Sequence, residues 1–254
     1  MRTSYDVYFA SGLYASRYPR PNPHTLATVE KLLPRGGTLV DYGAGEGRYC
    51  LALAKSHGAQ VLAVDISPVA RNGLSQTAAS LGIADQIQAC DPADAAYLDR
   101  IGSASVDVIL IAFGTLGHIA GRANRLALLR EFRGMLKPGG RLVMGLPNAA
   151  RRLRDSQKDC RDLVARGELE AGDVRYDRQA DGVTISLYYH LFTEAEFRRD
   201  LAESGFAVES VTSESILPES MVTHSRLLAG VDRLARAVVP RAFSYGFLVT
   251  ARPG

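Results

Sequence analysis

Between residues 35 and 148, short apolar runs alternate with amphipathic stretches, and this alternation constrains the fold more than any other feature of the chain. TLVDYG, VLAVDIS, IQACD, VDVILIAFG and RLVMGLPN read as strands, and several of them are apolar throughout rather than at every second residue. Strands of that kind are buried on both faces, as in a parallel sheet covered by helices on each side. Gly47 to His57, Val69 to Leu81 and Leu126 to Leu136 carry helical spacing, with Gly82 and LKPGG as stop signals. Right-handed crossovers then make the whole an α/β, doubly wound, mostly parallel sheet.

The flanks differ in character. Residues 1–23 are rich in Tyr, Arg and Pro; RYPRPNP cannot lie inside a helix, so this stretch reads as an N-terminal helical arm and an extended connection. HTLATVEKLL follows as a helix. After Asn148 an insertion over 149–190 combines a charged helix (RRLRDSQKDCRDLVARGELE), a turn-rich segment (GDVRYDRQADG) and an alternating strand, VTISLYYHLF. Thr193 with Glu196 forms a capping box for the helix EAEFRRDLAESG. FAVESVTSES and FSYGFLVTARP complete a seven-stranded sheet in a single domain, 1–254. Between these two strands, Arg226 to Val239 reads as a helix whose Leu227, Val231, Leu234, Ala235 and Val238 are expected to cover core.

Bulk properties narrow the function little. A net charge of +3 over 254 residues makes no case for a nucleic-acid or membrane surface. Cys50, Cys90 and Cys160 are far apart, with no CxxC or Cys/His cluster, which predicts buried thiols and no metal site. MRTSYDVYFASGLY lacks the apolar core of a signal peptide, and no run is long enough to span a bilayer, so the expectation is a cytoplasmic location.

The chemistry concentrates at the carboxyl ends of the strands. In LVDYGAGEGR, Gly43, Gly45 and Gly47 allow a tight turn and close approach of a ligand to the main chain, next to the free N–H groups of a helix start. The spacing is G-x-G-x-G; the dinucleotide fingerprint needs a third glycine where Arg48 stands, which argues against a nicotinamide-dependent oxidoreductase. Asp65, one crossover later, is placed to accept from a ribose diol. Asp91 closes the third strand, where its carboxylate can accept from an exocyclic amine, with Asp94 nearby as an alternative.

The succession LVDYGAGEG, VLAVDIS, IQACD, VDVILIAFG and LLREFRGMLKPGGRLVMGLPN resembles the ordered motifs of class I S-adenosylmethionine (SAM)-dependent methyltransferases, closely over about residues 35–148 and more loosely to the end. The resemblance implies a Rossmann-like methyltransferase fold and SAM as cofactor. It places Gly43 and Gly45 at the methionine part of SAM, Asp65 at the ribose, Asp91 near the adenine, and Phe113 and Gly114 facing the methyl. Asp41, which orders the glycine loop, and Ile66 belong to the same set. FGTLGH replaces the N/D-P-P-Y/F signature of many amino-directed nucleic-acid members, which argues against adenine or cytosine methylation.

The implied reaction is methyl transfer to an O or N atom of a small-molecule metabolite. His118 and His190 are candidate bases; Tyr18, in an aromatic arm with Tyr5, Tyr8, Tyr14 and Arg17, and Tyr189 are candidate substrate contacts. The basic run Arg151, Arg152, Arg154, Lys158 and Arg161 reads as a solvated helix face. LYYHLFTEAEF is similar to enzymes that finish carboxymethyl-uridine at the tRNA wobble position, so tRNA stands as an alternative partner. A non-catalytic SAM-fold partner subunit and a homodimer also remain open.

Overall fold

The computed structural model describes residues 2–94, 102–180 and 182–254. Five parallel strands form the heart of the molecule: β1 (Thr38–Tyr42), β2 (Gln60–Val64), β3 (Ile87–Cys90), β4 (Val106–Ile111) and β5 (Leu136–Pro147). With β8 (Phe206–Ser215) and β9 (Gly246–Pro253) they make one seven-stranded sheet in the order β3-β2-β1-β4-β5-β9-β8. β9 runs antiparallel to both β5 and β8. Strand order reverses between β1 and β4, and ligands of doubly wound sheets bind outside the strand ends at that switch point.

Alternate residues of these strands feed two cores. Val40, Ile109, Ile111 and Met144 pack against Leu129 and Phe132 of α6 (Arg122–Met135) and Phe197 and Leu201 of α9 (Glu194–Glu203). Their neighbours Leu39, Val108, Leu110 and Val143 pack against α3 (Pro23–Leu32), α4 (Cys50–His57) and α5 (Pro68–Ser80) through Val29, Leu53 and Leu74. The capping box at α9 is present as expected: the Thr193 side chain accepts from the Glu196 N–H and the Glu196 side chain from that of Thr193. All three cysteines are buried thiols.

Four expectations change. Helix α4 starts at Cys50 rather than Gly47, because Gly43, Gly45 and Gly47 all take positive φ and keep the loop open. LKPGG does not stop short of β5; Leu136 already pairs with Val106, and a bulge accommodates the Pro-Gly-Gly. DVRYDRQA is no turn-rich segment. It is β6 (Asp173–Ala180), paired antiparallel with β7 (Val183–His190) in a separate hairpin, where the ladder supplies the order its polar sequence hides. The apolar stripe on α11 (Arg226–Val238) does not cover core: Leu227 and Val238 are 77% and 80% exposed. No helix among the described residues is long and apolar enough to cross a membrane.

The hairpin and the N-terminal arm sit over the sheet end. The arm consists of α1 (Arg2–Ala10) and α2 (Leu13–Arg17), and its Tyr8 packs on Ile185 and Leu187 of β7. At the base of the hairpin, buried His190 is held between Asp173 (Nδ1, 2.6 Å) and Glu196 (Nε2, 2.8 Å), which binds the insertion to α9. Burial disfavours the charged ring, but the two carboxylates outweigh it and raise its pKa. Glu170, Asp173 and His190 lie within cation-binding reach of one another, yet both ring nitrogens already face carboxylates.

Candidate active site

A cavity of about 170 Å³ opens at the switch point, between the loops after β1, β2 and β4, under the arm and the hairpin. Its floor at one end is the glycine loop. Gly43 and Ala44 donate to the Val64 carbonyl at 2.7 and 3.1 Å, which pulls the loop back along β2. The three glycines have different tasks. A Cβ on Gly43 would lie 2.3 Å from Thr115, one on Gly45 would face Phe9 at 3.2 Å, and one on Gly47 would strike Leu74 at 2.3 Å inside the core.

Asp65 is the acid that lines this end. It accepts from the Gly45 and Ser67 N–H groups, both at 2.8 Å, so the carboxylate is fixed against the glycine loop. Burial raises its pKa against the opposing pull of those bonds. Ile66 and Pro92 provide apolar surface beside it.

Three residues expected at the cofactor are not part of the cavity lining. Asp41 is buried beneath the loop and does not line the cavity; burial raises its pKa to about 7, against a hydrogen bond with the Cys50 thiol. Asp91 is outside the lining and is paired with Arg2 of the arm and, at 3.2 Å, with Arg71. Its bond with Arg2 holds its carboxyl down at about 2. Gly114 is also outside; a Cβ there would fall 1.8 Å from the Tyr189 hydroxyl, so its role is to make room for that ring. Arg48 does not face the loop's ligand side: it is buried against Tyr49 and Phe113 and pairs with Glu219 at 3.3 Å.

The other end is aromatic. Phe113, forced to φ 55°, packs edge-on against Tyr18 at 4.4 Å between centroids. Tyr189 stacks on His118 at 4.3 Å, and all four rings line the cavity. His118 Nδ1 lies 2.9 Å from the Tyr188 carbonyl, which can only accept, so the ring proton sits on Nδ1 and the Nε2 lone pair is free. Burial lowers the His118 pKa to about 4 and keeps the ring neutral. Of the two candidate bases, His118 lines the cavity, whereas His190 does not and is clamped between Asp173 and Glu196. Tyr176 and Arg178, not singled out from sequence, also line the chamber, and so does Arg152, which was expected on a solvated helix face but precedes the helix Arg154–Asp159 and turns inward. Nothing local marks Arg152 among its basic neighbours; only the fold turns it inward.

A glycine loop after β1, an acid at the end of β2 and a sheet closed by an antiparallel β9 define the class I SAM-dependent methyltransferases. The profile of the family described as "Methyltransferase domain" matches residues 14–211, and the chain belongs to that family. Among curated relatives, a ribosomal protein L11 methyltransferase of Vibrio cholerae serotype O1 (strain M66-2) is 32% identical over 119 residues, 47% of this chain and 36% of the relative. A dimethylglycine N-methyltransferase of Parasynechococcus marenigrum (strain WH8102) is 33% identical over 129 residues, 50% of this chain and 43% of the relative. The chain thus spans less than half the length of these relatives. A SAM-dependent methyltransferase structure from Methanosarcina mazei shares the fold, with a TM-score of 0.67 at 20% identity over 92% of this chain and 98% of that one.

Proposed function

We propose that this protein transfers a methyl group from SAM to an O or N atom of a small-molecule metabolite. The observation that carries the reading is one continuous cavity whose glycine-and-acid end runs into an aromatic chamber containing His118. The residues suit the cofactor. Gly45 leaves the main chain bare toward the cavity, the Asp65 carboxylate is positioned to accept from a diol, and Ile66 and Pro92 offer flat apolar surface to a base. SAM supplies an activated sulfonium methyl, so the protein has chiefly to align the acceptor and exclude water.

In this reading Gly43, Gly45, Asp65 and Ile66 hold the cofactor, and Phe113 closes on its reactive end. Asp91 acts indirectly, by tying the arm through Arg2. Tyr18 and Tyr189 form walls for the acceptor, and His118 Nε2 accepts its proton. A base with a pKa of about 4 suits a hydroxyl, because an oxygen that has gained a methyl is a strong acid and surrenders its proton even to a weak base. Enclosure beneath the arm and hairpin favours a small acceptor over a tRNA loop.

Calorimetric titration with S-adenosylhomocysteine tests the reading. Binding is expected for the wild type and should weaken at least ~10-fold, about 1.4 kcal/mol, in Asp65→Ala. Binding of NADH in its place, or an unaffected Asp65→Ala variant, would refute it. Salt-sensitive tRNA binding by the wild type would favour the nucleic-acid alternative.

A further inference from the structure

The acceptor half of the cavity is electrically one-sided. Arg152 and Arg178 line it, both half-buried. The Arg152 guanidinium carbon lies 4.4 Å from the Tyr245 ring centroid and 5.6 Å from that of Tyr189; Arg178 lies 5.3 Å over Tyr176. Neither arginine forms an ion pair with an Asp or Glu among the described residues. Other arginines are satisfied differently: buried Arg125 pairs with Glu170, and half-buried Arg141 and Arg122 pair with Glu209 and Asp200, while Arg17 donates to the Tyr18 hydroxyl and Arg20 to main-chain carbonyls.

The acid in the cavity lining, Asp65, is at the far, glycine-loop end and is already bonded to two N–H groups. Glu214 is the carboxyl whose charge couples to Arg152, but it is fully enclosed behind the chamber, where it accepts from Thr25 at 3.0 Å. Burial, with Glu219 nearby, pushes its pKa up and keeps it from neutralising the arginine. A guanidinium lying on aromatic rings is oriented by them and can present an edge of N–H donors to a planar oxyanion. An unmatched cation half-removed from water costs free energy that an anionic ligand recovers as charge-assisted hydrogen bonds.

Building on the methyltransferase reading, we infer that the methyl acceptor carries an anionic group, a carboxylate or phosphate, bound by Arg152 with Arg178, on a frame whose apolar part lies among the tyrosines. The two cations also disfavour an acceptor with a fixed positive charge, despite the aromatic walls. The acceptor's nucleophile then faces His118 and Phe113, which line the same chamber.

The test uses the full chain saturated with S-adenosylhomocysteine and matched probes: phenol, 4-hydroxybenzoate, phenyl phosphate and tyramine, titrated by ligand-detected NMR. At least one anionic probe is expected to bind ~10-fold or more tighter than phenol and tyramine. The arm that gains, carboxylate or phosphate, identifies the head group. In Arg152→Met the preference should collapse while homocysteine-product affinity stays unchanged; Arg152→Lys should restore part of it. Equal or tighter binding of phenol or tyramine, a preference that survives Arg152→Met, or no binding by either anionic probe overturns the inference. Failure of S-adenosylhomocysteine to bind would instead sink the methyltransferase reading, and the probe preference is then measured on the protein alone.

Discussion

Gly45→Ala and Gly47→Ala should break different things, although the two glycines are neighbours in one loop. At Gly47, φ is 88° and a Cβ would lie 2.3 Å from Leu74 Cδ1 and 2.9 Å from Leu51 Cδ1. The left-handed backbone costs ~1–2 kcal/mol in alanine. Leu74 is fully buried, so moving it adds the ~1–3 kcal/mol typical of overpacking. The sum is about 2–5 kcal/mol, and at roughly 2–4 °C per kcal/mol for a chain of this size the midpoint should fall by about 10 °C. At Gly45, φ is 55° and the nearest contact is the Phe9 ring at 3.2 Å, on an arm that can shift. Only the backbone part, ~1–2 kcal/mol, is then expected in stability. Because Gly45 lines the cavity, its new methyl should instead cost ~10-fold or more in S-adenosylhomocysteine affinity. Urea unfolding followed by circular dichroism gives the first quantity and calorimetry below the transition the second. If Gly47→Ala were no less stable than Gly45→Ala, or if Gly45→Ala bound the ligand as wild type does, the division of labour within the loop would be wrong.

Other outcomes follow from single residues. Thr193→Ala removes the capping box of α9 and should cost ~1 kcal/mol, read as a lower urea midpoint at unchanged slope. His190 has its pKa raised in the folded state, so the stability it contributes is complete below about pH 6.5 and is lost as pH rises through the folded value. A His190→Gln variant should therefore show a flatter thermal midpoint over pH 6 to 9, and an equally steep profile would remove His190 as the cause. His118 should remain neutral with its proton on Nδ1 down to about pH 4, as nitrogen-15 NMR of the ring can read. His118→Asn should lower turnover with product affinity retained; protonation near pH 6.5 would contradict its burial.

The floor of the site was readable from sequence because it is made locally. Strand, glycine turn and following acid recur in fixed order along the chain, and their physical reasons act over a few residues: no Cβ at Gly45, a carboxylate at the end of β2 in Asp65. The roof was not. β6 has few apolar residues, so its strand character comes from pairing with β7 rather than from periodicity. Arg152 sits in a run of basic residues that resembles any solvated helix, and its inward turn depends on Tyr189 and Tyr245, 37 and 93 positions later. Asp91 has the right place at a strand end, but Arg2, 89 positions away, competes for it. The stripe on α11 obeyed helical spacing and still faces outward, because periodicity shows that a face is apolar and not what lies against it.

The β6–β7 hairpin has a small apolar cluster of its own, built on Val174, Tyr189 and Leu191, and it meets the sheet side at His190 with Glu196, at His118 with Tyr188 and Tyr189, and next to the Asn148–Phe192 bridge. The chamber walls are therefore carried by a two-stranded sheet that docks on the donor side through side chains rather than through the central ladder. A roof of different shape must therefore keep the His190 clamp and the Tyr189 ring over Gly114, while Arg152, Tyr176 and Arg178 line the chamber outside the central ladder.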